Sequence, residues 1–181
     1  MSITKEYETA LLIIPPQNVQ TFAYPLRELY DSEWFIRVPA HITLLYPFVP
    51  TDQIDAAVTR LTPICSSFPP FDLILDRYGR FEDTLFLQPS NPEKLRELHQ
   101  RLTTAFPDYP VYQGEHGQKL HPHVTLARFD DPKEAEGIEI PPAPSFNFEV
   151  KQLHIYLGSQ DDQAPYIPRV IIPLGQQMKS D

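Results

Sequence analysis

The apolar positions of this chain switch repeatedly between the two-residue period of a β-strand and the longer period of a helix. Short, strongly apolar runs predict strands, and apolar residues three or four positions apart predict helices. The predicted strands cover 7–14, 41–48, a hairpin over 71–89, 123–129, and stretches near 146–157 and 166–174. The predicted helices cover 17–31, 53–65 and 92–106. Helices interspersed with hairpins indicate an α+β fold with antiparallel sheets.

Prolines separate most of these predicted elements. The chain holds 21 prolines and only 6 glycines, and the prolines fall mainly between periodic segments, as loop residues do. A loop over 107–122 leads into the predicted strand at 123. In the segment 131–145 a helix would be expected, but its prolines and glycine leave room for little more than a turn.

Length and charge limit the classes of function. A chain of 181 residues suits one domain, or two small lobes that share a core. The formal net charge is -9, which argues against a protein that coats long nucleic acid, because such binding needs a basic surface. A short or terminal nucleic-acid substrate held at one local site is compatible with this charge.

Cysteine usage and the first residues bear on the compartment. Cys65 is the single cysteine, so no disulfide within the chain and no thiolate metal cluster can form, and a reducing compartment is indicated. The segment MSITKEYETALLIIPP lacks the basic start of a signal peptide, and its apolar run is too short to span a membrane. We expect a cytoplasmic monomer without a membrane partner.

Two of the predicted strands open with the same pattern, His-x-Thr-Leu. It occurs in HITLLYPF, which begins at His41, and in HVTLARF, which begins at His123. Side chains two residues apart point to the same face of a strand, so His41 projects together with Thr43. In the same way His123 projects together with Thr125. If the two strands lie beside each other across a groove, four polar groups converge there.

These four groups suit the in-line cleavage of a phosphodiester. Two imidazoles with near-neutral pKa values can divide the work of general base and general acid. Two threonine hydroxyls can donate to the oxygens of the phosphate, so no metal or other cofactor is expected. Two ordinary histidines predict a bell-shaped pH dependence with an optimum around 6 to 7.5. A single match would more often be a structural histidine at a strand edge, but two matches at strand starts favour catalysis.

VPAHITLLYPF and LHPHVTLARF together resemble the signature of the 2H phosphoesterase superfamily, and in particular its bacterial 2'-5' RNA ligase-like branch. The resemblance covers nearly the whole chain, including the order of the strands. It implies that residues 1–181 form a single α+β domain of two pseudo-twofold-related lobes. Each lobe would be an antiparallel sheet with helices on its outer face, and a central groove would separate the lobes.

The resemblance also implies a catalytic quartet and a substrate class. The quartet consists of His41, Thr43, His123 and Thr125. Substrates of the superfamily are 2',3'-cyclic phosphates or 2'-5' linkages in nucleotides or RNA ends. The shortened segment 131–145 departs from relatives that have a full helix there, which puts the groove wall and the substrate range in doubt but leaves the quartet intact.

Six further residues are candidates for substrate binding: Phe48, Arg80, Phe81, Lys119, Phe129 and Tyr166. Phe129 is in phase with the histidine of its strand, and Phe48 follows a proline that can turn it inward, so both could stack on a base. Phe81 and Tyr166 lie at the two predicted hairpin turns. Arg80 and Lys119 are the candidates for phosphate contacts. Ordinary core packing is the alternative for each aromatic residue.

The remaining charged and histidine residues carry weaker patterns. Arg128 is out of phase with His123 in a regular strand, so we expect it to point away from the quartet unless a bulge reverses it. His121 and His123 form a His-x-His that could be half of a metal site with Asp130 or Asp131, although Pro122 marks where the strand begins and weakens that pattern. Three histidines without a partner pattern are interpreted as surface or packing residues: His99, His116 and His154.

The leading hypothesis is a metal-independent phosphoesterase that opens a 2',3'-cyclic phosphate, or cleaves or forms a 2'-5' phosphodiester. A non-catalytic module that binds a nucleotide or RNA end in the same groove is the alternative, although binding alone does not require two paired imidazoles. A histidine-based metallohydrolase is a third hypothesis, but the chain lacks a clustered set of three ligands.

Overall fold

One antiparallel sheet of eight strands organises the computed structural model, which describes residues 7–110, 119–159 and 164–175. The strands in chain order are β1 (Tyr7–Ile13), β2 (Ile42–Leu45), β3 (Phe71–Arg80), β4 (Thr84–Pro89), β5 (Val124–Arg128), β6 (Phe146–Val150), β7 (Gln152–Ser159) and β8 (Ile167–Pro173). Their order across the sheet is β6-β3-β4-β5-β2-β1-β7-β8. The predicted α+β class and antiparallel sheet are confirmed.

Four α-helices accompany the sheet within the described residues. They are α1 (Gln17–Tyr30), α2 (Ser32–Phe35), α3 (Ile54–Ser67) and α4 (Glu93–Ala105). The helix α4 shows why the apolar spacing predicted these elements, because Leu95, Leu98 and Leu102 lie on one face and are fully buried. The helix α1 continues through Pro25. The segment 131–145 contains a single short turn at Glu134–Glu136, as its prolines predicted.

The sheet divides into two halves of four strands that meet between β2 and β5. Each of these two inner strands ends a strand–helix–strand unit, β1–α1–β2 in one half and β4–α4–β5 in the other. A single residue pair, Ile42 and Val124, bridges them in the ladder. The two units occupy equivalent places on either side of this seam, which confirms the predicted pseudo-twofold arrangement of two lobes.

The main core lies on one face of the sheet. Apolar side chains from all eight strands contribute to it, together with the inner faces of α1, α3 and α4. The other face carries smaller clusters and the partly exposed side chains of β2 and β5. Helices α1, α3 and α4 therefore cover the outer side of the sheet, and the quartet strands present their polar side chains on the opposite side.

The predicted strand near 146–157 is two strands that belong to opposite halves. The break falls at Lys151, after which the chain leaves β6 at one edge and enters β7 beside β1. In a flat sheet the six strand spacings between β6 and β7 would measure about 29 Å. The two peptide links from Val150 to Gln152 span at most about 7.6 Å. The sheet must therefore curl strongly enough to bring its two outer regions together.

No helix in the described ranges combines the length and the apolar character that crossing a bilayer requires.

Two glycines, one in a strand of each half of the sheet, lie directly beneath aromatic rings. A Cβ atom on Gly158 would overlap the ring of Tyr166, and a Cβ atom on Gly79 would overlap the ring of Phe86. Both rings flank the seam face of the sheet, so each glycine makes room for an aromatic wall.

We therefore expect Gly158→Ala to displace the Tyr166 ring and to lower the free energy of unfolding by about 1–3 kcal/mol, the usual cost of overpacking. Thermal and urea unfolding would measure it. Gly137→Ala is the matched control, because the atom nearest to its added Cβ is the Glu134 carbonyl oxygen at 3.8 Å. Equal stability of the two variants would show that the ring is not held against Gly158.

Candidate active site

The seam between β2 and β5 brings the quartet to one face of the sheet. Ile42 and Val124 lie opposite each other and are fully buried in the main core. Neighbouring residues of a strand point to opposite faces, so the residues on either side of this pair face away from the core. All four quartet residues are partly exposed there, in the same burial pattern on both strands.

The register also fixes which quartet side chains are neighbours. Continuing the antiparallel pairing by one residue places His41 beside Thr125 and Thr43 beside His123. The two histidines are therefore diagonal neighbours, and residues in such a pair lie about 7–8 Å apart, with their Cβ atoms somewhat closer. That spacing lets two imidazoles approach opposite sides of one phosphoryl group.

Each imidazole is held by the backbone two residues before it. The Nδ1 atom of His41 lies 2.8 Å from the carbonyl oxygen of Pro39, and the Nδ1 atom of His123 lies 2.8 Å from the carbonyl oxygen of His121. A carbonyl oxygen only accepts, so Nδ1 carries the proton and donates it in both rings. In the neutral form each Nε2 then keeps a lone pair for a substrate proton.

The surroundings of the two histidines favour neutral imidazoles. The pKa of His41 is lowered from 6.5 to about 4, mainly by burial and also by the nearby positive charges of Arg27 and Arg128, while the hydrogen bond to Pro39 opposes this shift. Burial also lowers the pKa of His123, with smaller contributions from His121 and Arg128. Both rings are thus ready to accept a proton near neutral pH, and an anionic ligand would restore the charged form.

A cavity of about 220 Å³ opens beside His41, Thr43 and Thr125. Arg128 and Asp31 form part of its wall, and the Arg128 guanidinium donates to the Asp31 carboxylate at 3.0 Å. Arg27 donates to the other oxygen of the same carboxylate at 3.3 Å. Two guanidiniums on one carboxylate leave a net positive charge, which suits an anionic group.

Of these three charged residues, Arg128 has the freedom to reach a ligand. Its side chain is 42% exposed, whereas the side chains of Arg27 and Asp31 are almost fully buried. Arg27 also donates to the carbonyl oxygens of Trp34 and Val38, so it is committed to the protein. Burial raises the pKa of Asp31, and the charges of Arg128 and Arg27 oppose that rise; with both guanidiniums bonded to it, Asp31 acts as the anchor of Arg128.

The expectation that Arg128 points away from the quartet is wrong, and a β-bulge is the reason. Thr125 pairs with Phe86 and Ala127 pairs with Leu85, so Leu126 is an extra residue in the β5 ladder. One extra residue exchanges the two faces beyond it. Arg128 therefore faces the cavity together with Thr125.

The same bulge removes Phe129 from the groove. Phe129 is buried in a side cluster with Leu85, Ala127 and Ala135, and its ring contacts Tyr30. The prediction that it lines the groove assumed regular alternation through β5, which the bulge interrupts.

Aromatic residues form the apolar part of the cavity wall. Tyr46 and Tyr166 line it, and both hydroxyls donate to the same carboxylate oxygen of Glu8. Burial raises the pKa of Tyr46 to about 12, and burial also raises that of Tyr166, so both hydroxyls keep their protons. Trp34 lines the same wall, and its ring centroid lies 4.6 Å from the Arg37 guanidinium carbon and 5.5 Å from that of Arg128.

Two of the six predicted substrate-binding residues lie next to the quartet. Tyr166 is part of the cavity wall. Phe81 is 46% exposed, and its ring centroid lies 5.4 Å from that of His123. The sequence did not indicate Trp34 or Tyr46, although Tyr46 belongs to the same strand motif as His41.

The other predicted binding residues lie elsewhere. Phe48 is buried in the main core and packs edge-on against Phe106, because the chain after Pro47 turns it inward to the core instead of to the groove. Arg80 donates to the carbonyl oxygen of Ala135 and is occupied in tying the β3–β4 hairpin to that turn. Lys119 lines a different cavity, beside α4.

In the residues that the structure describes, no group of three or more histidine, cysteine, aspartate or glutamate side chains is placed to hold a metal ion. The rings of His121 and His123 have centroids 6.3 Å apart. Asp131, which was considered as their partner, accepts a hydrogen bond from the backbone of Lys133. Of the unpatterned histidines, His99 is buried, and His116 lies outside the described residues.

Comparison with known proteins agrees with this geometry. The model of the 2'-5' RNA ligase superfamily matches residues 15–162. A Geobacillus kaustophilus protein named "Putative phosphoesterase" is 30% identical over 122 residues, which are 65% of this chain and 67% of that protein. A Bacillus anthracis protein of the same name is 28% identical over 122 residues, with the same shares of the two chains.

Solved structures show the same fold. The crystal structure of Escherichia coli LigT with 3'-AMP superposes with a TM-score of 0.69 at 22% identity, over 95% of this chain and all of that chain. TT0787 of Thermus thermophilus superposes with a TM-score of 0.64 at 17% identity, over 94% of this chain and all of that one.

The two-lobed sheet and its paired His-x-Thr strands are those of a 2H phosphoesterase. The chain belongs to the 2'-5' RNA ligase superfamily. This membership, together with the names of the relatives, supports phosphoesterase activity in general.

The anchored imidazoles give a spectroscopic prediction. At pH 7 and without ligand, both His41 and His123 should be neutral and should carry the proton on Nδ1, because a carbonyl accepts from Nδ1 and burial disfavours the cation. Long-range ¹H–¹⁵N NMR of histidine-labelled protein would show it, with His41→Gln and His123→Gln as assignment controls. A His41 ring that titrates at 6.5 would contradict this, and added inorganic phosphate should raise its pKa.

Proposed function

We propose that this chain is a metal-independent phosphoesterase that acts on 2',3'-cyclic phosphates or 2'-5' phosphodiesters of nucleotides or RNA ends. The observation that carries the proposal is the matched anchoring of the two imidazoles. Each is bonded through Nδ1 to the carbonyl two residues earlier, and each keeps Nε2 free on the same face of the seam. A histidine needed only for packing would not require this arrangement twice.

The proposed reaction divides the proton transfers between the two histidines. One Nε2 takes a proton from water as the water oxygen bonds to phosphorus, and the other, protonated, gives its proton to the departing ribose oxygen as that bond to phosphorus breaks. For a 2'-5' ligation the same steps run with a ribose hydroxyl in place of water. The near-symmetry of the two strands lets either histidine take either role, according to the orientation of the substrate.

Three further groups would stabilise the phosphate while charge develops on it. Thr43 and Thr125 each offer a hydroxyl donor on the face shared with the imidazoles, and Arg128 offers a guanidinium at the cavity wall. Donors fixed in advance act on the transition state without reorganisation. Because Asp31 holds Arg128, a phosphate would meet a guanidinium already in place.

The aromatic wall supports a nucleoside beside the phosphate. Trp34, Tyr46 and Tyr166 present apolar surface within the cavity, and stacking on a base or a ribose needs such surface. The crystal complexes of LigT with 3'-AMP, ATP and NADP+ support a nucleotide ligand for this fold. A cytoplasmic location, where such substrates occur, is proposed on the same grounds.

The proposal is tested by incubating purified protein with each of the four nucleoside 2',3'-cyclic phosphates and separating the product isomers. Turnover should survive excess EDTA. His41→Ala and His123→Ala should each lower the rate by about 10² to 10⁴, the usual worth of a positioned acid or base. Thr43→Ala and Thr125→Ala should lower the rate by a smaller factor than the histidine variants do, because other donors to the phosphate remain. The double histidine variant should be little worse than the more impaired single variant, because both residues act in one transition state.

The rival hypotheses give different outcomes in that experiment. A non-catalytic binding module would bind the cyclic phosphates without turnover. A metallohydrolase would lose its activity in EDTA and recover it with zinc or manganese. Near wild-type rates for both histidine variants on every cyclic phosphate and 2'-5' linkage would show that the two strands are structural.

The pH dependence should differ from that of two ordinary histidines. The profile of kcat/KM reports the free protein, in which burial lowers the pKa of His41 to about 4 and also lowers the pKa of His123. The base is lost as pH falls through the lower pKa of the pair, and the acid is lost as pH rises through the upper one. The maximum of kcat/KM should therefore lie between about 4 and 6.5, on the acid side of the optimum of about 6 to 7.5 that ordinary histidines predict.

The profile of kcat serves as the internal comparison, because it reports the complex. A bound phosphate favours the imidazolium, so the limbs of kcat should lie at higher pH than those of kcat/KM. A kcat/KM profile centred above pH 7 would contradict the lowered pKa values.

A further inference from the structure

A second cavity lies outside the catalytic groove, between α4 and the segment that leads to β5. Its volume is about 580 Å³, larger than that of the cavity beside the quartet. Arg96, His99 and Thr103 line it from the helix, and Lys119 and Leu120 line it from the segment before β5. The mechanism proposed above uses none of these side chains.

His99 is the most unusual group in this cavity. The residue is only 4% exposed, yet its Nε2 atom has no hydrogen-bond partner among the described residues. The ring donates its other hydrogen bond to the backbone of Leu44, so Nε2 of the neutral ring keeps a lone pair and can accept a hydrogen bond from a donor on a ligand. A buried polar atom without a partner costs free energy, and a ligand that hydrogen-bonds to it would remove that cost.

Two of the described residues that line the cavity are cationic. The Nε atom of Arg96 is buried and, like Nε2 of His99, has no hydrogen-bond partner among the described residues. Lys119 adds a second cation at the rim, and no aspartate or glutamate is among the described residues that line the cavity. In a chain with a net charge of -9, such a local excess of positive charge favours an anion such as a phosphate.

A short series of contacts connects this cavity with the quartet. The positive charge of Arg96 is close enough to His121 to contribute to the lowering of its pKa. The ring of His121 lies 5.4 Å from that of Phe81, and the ring of Phe81 lies 5.4 Å from that of His123. An extended ligand could therefore pass from the catalytic histidine over the exposed Phe81 ring towards Arg96.

We propose that this cavity binds a phosphate of the substrate strand other than the reacting one through Arg96 and Lys119, while Nε2 of His99 accepts a hydrogen bond from a ribose hydroxyl beside that phosphate. The substrate is then the end of an oligonucleotide rather than a mononucleotide. This inference rests on the proposed function, because it assigns the reacting end to the quartet. It also gives Lys119 a phosphate contact in a place that the strand pattern did not indicate.

The test compares two substrates that share the same reacting end. One is a nucleoside 2',3'-cyclic phosphate, and the other is a trinucleotide that ends in that group. Arg96→Gln should lower kcat/KM for the trinucleotide by about tenfold, as loss of a charge-assisted contact does. It should leave kcat/KM for the mononucleotide within about twofold of the wild-type value. Lys119→Gln should act in the same direction by about threefold, because it is exposed and screened.

Arg101→Gln is the matched control. Arg101 lies on the same helix and carries the same charge, but it pairs with Glu97 at the surface and does not line this cavity. It should leave the ratio of the two kcat/KM values unchanged. Thermal unfolding of each variant checks that the fold is intact.

Binding of a trinucleotide that ends in a 3'-phosphate, measured by calorimetry, separates this inference from the proposed function. If no substrate turns over but Arg96→Gln weakens this binding and Arg101→Gln does not, the second site stands and the proposed reaction fails. If turnover occurs and Arg96→Gln changes both substrates equally or neither of them, the second site is overturned. Inorganic phosphate should also lower the ratio of kcat/KM for the trinucleotide to kcat/KM for the mononucleotide. Such a decrease would support the second site, because free phosphate competes for Arg96 and Lys119.

Discussion

The pairing of Ile42 with Val124 is the constraint on which the active site depends. It joins the two halves of the sheet at one residue pair and seals both side chains in the core. Since strand residues alternate between faces, this one register places two imidazoles and two hydroxyls on the opposite face. A slip of either strand by one residue would send its histidine and its threonine into the core. The chemistry is therefore positioned by burial of two aliphatic side chains that take no part in it.

The electrostatic design is local. The chain is acidic as a whole, yet the cavity beside the quartet places Arg27 and Arg128 on a single carboxylate. Asp31 prevents the two guanidiniums from repelling each other and leaves one net positive charge. Positive charge and burial together keep the imidazoles neutral until an anion arrives. An anionic ligand would therefore favour the protonated imidazole that the proposed general acid step requires.

Much of the fold and the quartet could be predicted from the sequence, because both rest on regular alternation. The strands that open with His-x-Thr follow a two-residue period for their first four residues, and the structure keeps it. Predictions failed where the period changes. In β5 the buried residues run Val124, Leu126, then Ala127 and Phe129, and this change of parity marks the bulge that turns Arg128 to the cavity.

A second change of parity marks the break in the predicted strand near 146–157. Phe146, Phe148 and Val150 face the core before Lys151, and Leu153 and Ile155 do so after it. This shift in the parity of the buried positions indicates two strands, β6 and β7, in place of one. By contrast, the approach of Trp34 and Tyr166 to the quartet depends on contacts between distant segments, such as the hydrogen bond from the Tyr166 backbone to the Arg37 carbonyl. The spacing of apolar residues within one segment holds no information about contacts between distant segments.

The crossing at Lys151 also determines how the chain is interlaced. The half built from β3, β4, β5 and β6 is continuous along the sequence, whereas the other half takes β1 and β2 from the start and β7 and β8 from the end. The partners of strand β1 in β7 therefore lie far along the chain, as the pair of Thr9 and Leu157 shows. Closing so long a loop is entropically slow compared with pairing within the continuous half. We therefore expect the continuous half to form first and β1 to gain its β7 partner later in folding.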